Sequence, residues 1–323
     1  MKAVIQNEFG EASVLHFTDV EYPSIHEGEV LIKAVYTSVN YADIKKRVGS
    51  KGEGKFPMML GLDVAGVVQE VSANSPFEVG DRVIAFPKNG SYAEYVVANE
   101  KLVFKIPDSL SIEQAAAMPT VTFTSYILLE KIGQVKPTDT IVIHSAAGGI
   151  GAMMIQLAKL MGVQKIITTV GNLEKASYLK ELGADVVCTY DTFTEVVLEE
   201  TNQVGANVIF DSVAGEVTTK SFDCLAYYGT LVQFGNSSGK AGTVKTSDLH
   251  SSCRNIKGFS LNTTRDLHPE LLAPIGEKVI EFFAAGKLNV PIAQVFHLSE
   301  VVLAHQLIES RKHKGKVLLK IEE

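Results

Sequence analysis

An α/β fold in two parts, a β-rich domain joined to a doubly wound parallel sheet, is what this 323-residue sequence predicts. Three observations carry that expectation. The run at 140–151, TIVIHSAAGGIG, passes from an unbroken apolar stretch into a glycine-rich turn and then a helical stretch. Five strand-like runs between 140 and 235 alternate with helical ones, the rhythm of a parallel sheet with crossover helices. Before about residue 110, short β-like segments are separated instead by Gly, Pro and Asn.

Taken in order, the opening MKAVIQNEFG has one lysine, no apolar core and no small-residue cleavage site. It is expected to be the first strand rather than a signal peptide. Strand-like segments follow at 29–34, 64–71, 82–86 and 91–97, with turn signals at Glu27-Gly28 and Val79-Gly80-Asp81, the texture of an irregular, barrel-like β domain. The second part has strands at 140–145, 165–170, 184–188, 207–211 and 230–235 and helices at 150–160, 173–182, 193–201 and 216–226. Ile141, Val142 and Ile143 form an unbroken run, as buried parallel strands do. A sixth strand is expected at 257–261. Helices at 270–285, stopped by Gly286, and at 299–310 precede a final strand at 316–321. That strand needs a sheet and is expected to return to the first domain.

A net charge of -7 argues against a nucleic-acid binder driven by bulk electrostatics, and no apolar run is long enough for a bilayer. Cys188, Cys224 and Cys253 lie far apart with no CxxC pair. They are expected to be free, buried thiols in a reducing, cytoplasmic compartment. No nucleic-acid or membrane partner is expected.

The glycine turn has the spacing of the dinucleotide fingerprint, with Ala146, Gly148 and Gly151 at its three glycine positions. Gly148 lets the backbone approach a pyrophosphate, and Gly151 lets the helix pack tightly on the strand. Ala147, Gly148, Gly149 and Ile150 then supply the cradle at a helix start, where free N–H groups and the helix dipole favour phosphate. An NAD-specific domain carries an acid at the tip of its second strand. Here that tip reads Thr168-Thr169-Val170-Gly171-Asn172, so Gly171 and Asn172 leave room for a 2′-phosphate and Lys175 offers positive charge. Alone, Lys175 also fits a solvated helix face.

Asn40-Tyr41-Ala42-Asp43, Gly80-Asp81-Arg82-Val83, the glycine turn, Asp211-Ser212-Val213, Phe234-Gly235-Asn236-Ser237-Ser238-Gly239 and Glu309-Ser310-Arg311 occur in the order seen in medium-chain dehydrogenase/reductases. Along its whole length the chain resembles their zinc-independent quinone oxidoreductase (zeta-crystallin-like) branch. That resemblance implies a GroES-like catalytic and substrate domain, 1–122 with 265–323, and a Rossmann NADPH-binding domain, 123–264, with the cofactor in the cleft between them. It implies a homodimer or homotetramer. It makes Lys175, Tyr190 and Arg311 the holders of the 2′-phosphate. Around the rest of the cofactor it sets Thr124, Ser212, Val213, Phe234, Gly235, Phe259 and Leu261, of which the apolar ones suit a plain core role almost as well.

A catalytic zinc needs about three Cys, His or acidic ligands. Asn40-Tyr41-Ala42-Asp43 lacks the cysteine of zinc-dependent members, and Leu62 stands where they have histidine. No metal is expected. Asn40 and Tyr41 are the candidates to face the substrate. Asn40 can orient a carbonyl by hydrogen bonding, although a turn role is also common for Asn. Asp43 is expected to tie down its loop. Lys45-Lys46-Arg47 reads as a solvated face, while an inward Lys45, where branch members carry tyrosine, would favour an acidic or strongly polarised acceptor. His144 reads as structural. The expected activity is NADPH-dependent reduction of quinones. The alternatives are reduction of an activated C=C, as in a 2-alkenal or enoyl reductase, and a non-catalytic NADPH-binding sensor or RNA-binding protein.

Overall fold

Residues 1–50, 52 and 54–321 are described by the structure, a computed structural model. The chain divides into two compact units, Met1–Phe123 together with the segment that starts at Arg265, and Thr124–Thr264. The first unit opens with β1 (Lys2–Gln6), β2 (His16–Asp19), β3 (Glu29–Val39), β4 (Met58–Met59), β5 (Val64–Val71), β6 (Arg82–Ala85), β7 (Tyr95–Asn99) and β8 (Val103–Lys105). The first half of β3 pairs with β7, its second half with a strand from the far end of the chain, and its other edge with β5. Nine of its eleven residues are buried, as a β-branched and apolar strand paired on both edges requires.

The second unit holds β9 (Thr140–Ile143), β10 (Lys165–Val170), β11 (Val186–Thr189), β12 (Ala206–Asp211), β13 (Leu225–Gln233) and β14 (Asn255–Gly258). All pair in parallel, in the order β11-β10-β9-β12-β13-β14. Counted from the unit's own first strand this is 3-2-1-4-5-6, the doubly wound Rossmann arrangement expected from the sequence. The chain then returns to the first unit through β15 (Ile292–His297) and β16 (Lys316–Lys320). β16 pairs antiparallel with β3, as a lone terminal strand seeking a sheet should.

Three local expectations need correction. β13 begins at Leu225, five residues before the expected 230, and the preceding helix stops at Asp223. Tyr227 and Tyr228, 74% and 76% exposed, hid the strand's apolar pattern, and Tyr228 adopts a positive φ of 60°. β14 ends at Gly258, because the Ser260 hydroxyl accepts from the Thr263 N–H at 3.2 Å and starts the helix Leu261–Leu267. Leu261 therefore opens a helix instead of closing a strand. Cys253 is exposed, whereas Cys188 and Cys224 are buried. Burial pushes the thiol of Cys188 up to about 11 and that of Cys224 to about 12, which keeps both protonated and inert.

The helix Gly149–Leu160 lies so close to the turn behind it that a β-carbon on Gly151 would come 2.5 Å from Ala146 Cα. Replacing Gly151 by Ala should therefore cost about 1–3 kcal/mol of stability, read as a lower denaturation midpoint. An unchanged midpoint would mean that the helix can back away from the strand freely.

Candidate functional site

Every strand of the second unit delivers candidate residues at its carboxyl end, the edge where open α/β sheets bind ligands. Ala147, Gly148, Gly149 and Ile150 follow β9, where the backbone N–H groups at the helix start have no intrahelical acceptor. A β-carbon on Gly148 would meet only Ser145 O, at 3.4 Å, and one on Gly171 would meet nothing within 4 Å. The space in front of both is open, and the residues fit a bound pyrophosphate. Gly171 and Asn172 follow β10 and are exposed, with Lys175 half-buried in the single turn Leu173–Lys175. Tyr190 follows β11, and its hydroxyl accepts from the Ser145 N–H at 2.9 Å, tying the third strand's end to the glycine turn.

After β12, Ser212 and Val213 are shaped by Asp211, a residue to which sequence reasoning gave no role. Its buried carboxylate accepts from the N–H groups of Val213 (2.7 Å) and Ala214 (3.0 Å) and from Thr218 Oγ1 (2.6 Å). The signal was available, since Asp before a polar residue commonly holds its own loop this way. Phe234 and Gly235 follow β13, and Gln233 Nε2 donates to Gly235 O at 2.5 Å. Phe234, Gly235 and Phe259 line a concavity of about 500 Å³, together with Gln233, Gly258, Ser260, Thr263 and Thr264. Leu261 is not in its wall. The hydroxyls of that wall were missed, although Ser260 with Thr263 is a readable helix-start pair. Thr124 is buried in the helix Pro119–Tyr126, where the division between the units falls.

His144 is structural in its bonding. Ser221 Oγ donates to Val217 O and so accepts from His144 Nε2 (2.9 Å), leaving His144 Nδ1 to accept from Thr169 Oγ1 (2.8 Å). Burial pushes this ring down to about 4.

Asn40, Tyr41 and Arg311 belong to the first unit. Arg311 ends the helix Val301–Ser310 with a φ of 57°, a conformation uncommon for a side chain of its size. Tyr41 is exposed at the start of the helix Tyr41–Arg47. Asn40 is buried. Its Nδ2 lies 3.3 Å from Asp63 Oδ1 and 3.2 Å from Ser38 Oγ, and its Oδ1 accepts from Lys316 Nζ at 2.7 Å. Asp63 also accepts from Ser38 Oγ (2.5 Å) and from the Thr120 N–H (3.0 Å) at the start of the helix Pro119–Tyr126. Asp43 ties its loop down as expected, accepting from the N–H groups of Asn40 (2.8 Å) and Gly61 (3.2 Å). Burial pushes Asp43 up to about 6, against the help of these bonds.

The basic run is only partly a solvated face. Lys46 is exposed, but Arg47 is 1% exposed, paired with Glu309 at 2.5 Å and bonded to Gly10 O at 3.1 Å. Since a guanidinium only donates, His305 Nδ1 accepts from Arg47 (3.2 Å). Its Nε2–H must then donate to Tyr92 Oη (3.1 Å), which in turn donates to Asp43 Oδ2 (3.4 Å). Burial, and then Arg47, push His305 down to about 3.

Residues 26–108 match the family described as alcohol dehydrogenase GroES-like domain, and residues 149–275 the one described as zinc-binding dehydrogenase. A probable quinone oxidoreductase of Schizosaccharomyces pombe is 33% identical, over 97% of this chain and 95% of its own. The chain belongs to the medium-chain dehydrogenase/reductases, in their quinone oxidoreductase branch. The solved structure of Escherichia coli quinone oxidoreductase complexed with NADPH superposes with a TM-score of 0.92, at 29% identity over 99% of this chain and all of that one. A 2-haloacrylate reductase of a Burkholderia species is 31% identical, over 99% of this chain and 98% of its own.

The second family's zinc does not fit the donors present in this branch member. Leu62 cannot ligate, Asn40-Tyr41-Ala42 offers no thiolate, and both oxygens of Asp43 are engaged by N–H and O–H donors.

The buried rings also set how stability responds to acid. Unfolded histidine titrates near 6.5, so the stability held by neutral His144 and His305 is present above that pH. It is lost as pH falls towards about 4 and about 3 respectively. Asp43, raised to about 6, acts with the opposite sign as pH falls from 6 towards 4. The balance is one extra proton on the unfolded chain. Urea unfolding between pH 6 and 4 should show stability falling by about 1.4 kcal/mol per pH unit. A flat profile would mean that the native protein already holds one of these rings protonated.

Proposed function

We infer that this protein is a zinc-independent oxidoreductase that uses NADPH to reduce quinones. The observation that carries the cofactor is the carboxyl edge of β9 and β10: an open glycine cradle at a helix start, beside a strand tip with no carboxylate. The acceptor class is supported by the quinone oxidoreductases to which the whole chain is similar. When bound, reduced nicotinamide supplies the hydride and requires no metal.

The chain's own residues then have four tasks. The N–H groups of Gly149 and Ile150 meet the pyrophosphate, and Lys175, Tyr190 and Arg311 hold the 2′-phosphate. Phe234 and Phe259, with Thr124, Ser212 and Val213, exclude water and orient the ring. Asn40 and Tyr41 face the acceptor, and a quinone's reduced oxygens take protons from water. The proposed domains are 1–122 with 265–323, and 123–264. A cytoplasmic homodimer or homotetramer completes the proposal. Three free cysteines suit that reducing compartment.

A second reading, reduction of an activated C=C, is favoured by the 2-haloacrylate reductase relative. An enone and a quinone share a conjugated carbonyl, so the same walls serve either.

NADPH oxidation followed by absorbance, with quinone and 2-alkenal panels side by side, separates the two. Turnover with quinones and a preference for NADPH over NADH are expected. Faster turnover with alkenals would transfer the assignment to the C=C class. Lys175→Glu should weaken NADPH at least about tenfold while sparing NADH, measured as KM for each. Gly148→Ala should leave the stability within about 1 kcal/mol of wild type and still raise the Kd for NADPH, because its β-carbon fills the cradle and touches little else.

A further inference from the structure

Lys316 is a buried cation that the proposed chemistry does not use. It is 5% exposed, and among the described residues its ammonium donates to Asn40 Oδ1 at 2.7 Å and Val39 O at 3.3 Å. Among the described residues no carboxylate lies within ion-pair distance of it. Its charge is instead passed on through an amide, running from Lys316 Nζ to Asn40 Oδ1 and from Asn40 Nδ2 to Asp63 Oδ1. An apolar side chain would fill this place on β16 at less desolvation cost.

What the ammonium adds is direction. Turning the Asn40 amide over would set its NH2 against a cation and its oxygen against a carboxylate. The charges at the two ends therefore leave Asn40 a single orientation. Asn40 is also the residue from which the helix Tyr41–Arg47 starts, its own N–H held by Asp43. The other end of that helix is fixed separately, by Arg47 on His305 and Glu309. Burial pulls the Lys316 ammonium below its usual range, while Asp63 and Asp43 oppose that pull.

We propose that Lys316 is a positioning residue for the acceptor, acting through Asn40 to hold the amino-terminal end of the helix Tyr41–Arg47. The proposal rests on the reading that Asn40 and Tyr41 face the acceptor.

A double-mutant cycle tests it. Lys316→Met and Asn40→Ala should each lower kcat/KM for quinone about tenfold, with the Kd for NADPH unchanged. Because one acts through the other, the double variant should be no more than about twofold worse than Asn40→Ala. Multiplied losses, approaching about a hundredfold, would overturn the proposal. If Lys316→Met does not fold, Lys316→Gln keeps a neutral donor and carries the same comparison.

Hydrogen exchange supplies a readout independent of turnover. In the lysine variant the segment 40–47 should lose protection, whereas 149–160 in the other unit should not. Unchanged exchange at 40–47 would also overturn the positioning role. Wild-type protein that turns over neither quinones nor alkenals would instead defeat the functional reading and leave the exchange result to judge Lys316.

Discussion

A carboxylate taken out of water must be hydrogen-bonded, and two of them close together need cations nearby. Asp43 and Asp63 impose that demand at the centre of the first unit, and the unit is assembled around meeting it. Ser38 and Asn40 come from the end of β3, Thr120 from a helix start, Tyr92 from the loop before β7 and Lys316 from β16. Arg265 adds a second positive field, with its guanidinium stacked over Phe86 at 4.8 Å. Removing any one of these groups takes a hydrogen bond from a buried neighbour, which is costly. The cluster therefore specifies where the ends of several strands and helices must lie, whatever it contributes to net stability.

The nucleotide-binding unit reaches order by other means. The centre of its sheet is mostly apolar, and specificity of position comes at the strand ends, where backbone groups need partners. Asp211 gathers two N–H groups of its loop, Gln233 fixes Gly235, and Tyr190 caps Ser145. Side chains thus shape the loops from behind, while the front of the glycine turn stays open.

What was legible in the sequence follows from range. The parallel strands announce themselves through unbroken runs such as Ile141 to Ile143, and Gly151 through a fingerprint only six residues long. Local chemistry of that kind needs no knowledge of the rest of the chain. Arg47 misled because three consecutive basic residues look solvated, while its partners His305 and Glu309 lie 258 and 262 residues away. Lys316 sits 276 residues from the amide it orients. Leu261 was placed on a strand expected to close the sheet, and the Ser260 cap starts a helix there instead. β15 escaped notice because three of its six residues are polar or small, with only Phe296 buried.

The return of β16 to β3 has a consequence in time. A ribosome releases residues 124–264 as one uninterrupted piece, so all six strands of the nucleotide unit are at hand early. The amino-terminal unit has no such freedom. Until a segment synthesised some 276 residues after Asn40 arrives, β3 keeps half an edge unpaired and two acids wait without their ammonium. The part of the chain that is made first is therefore the part that finishes last.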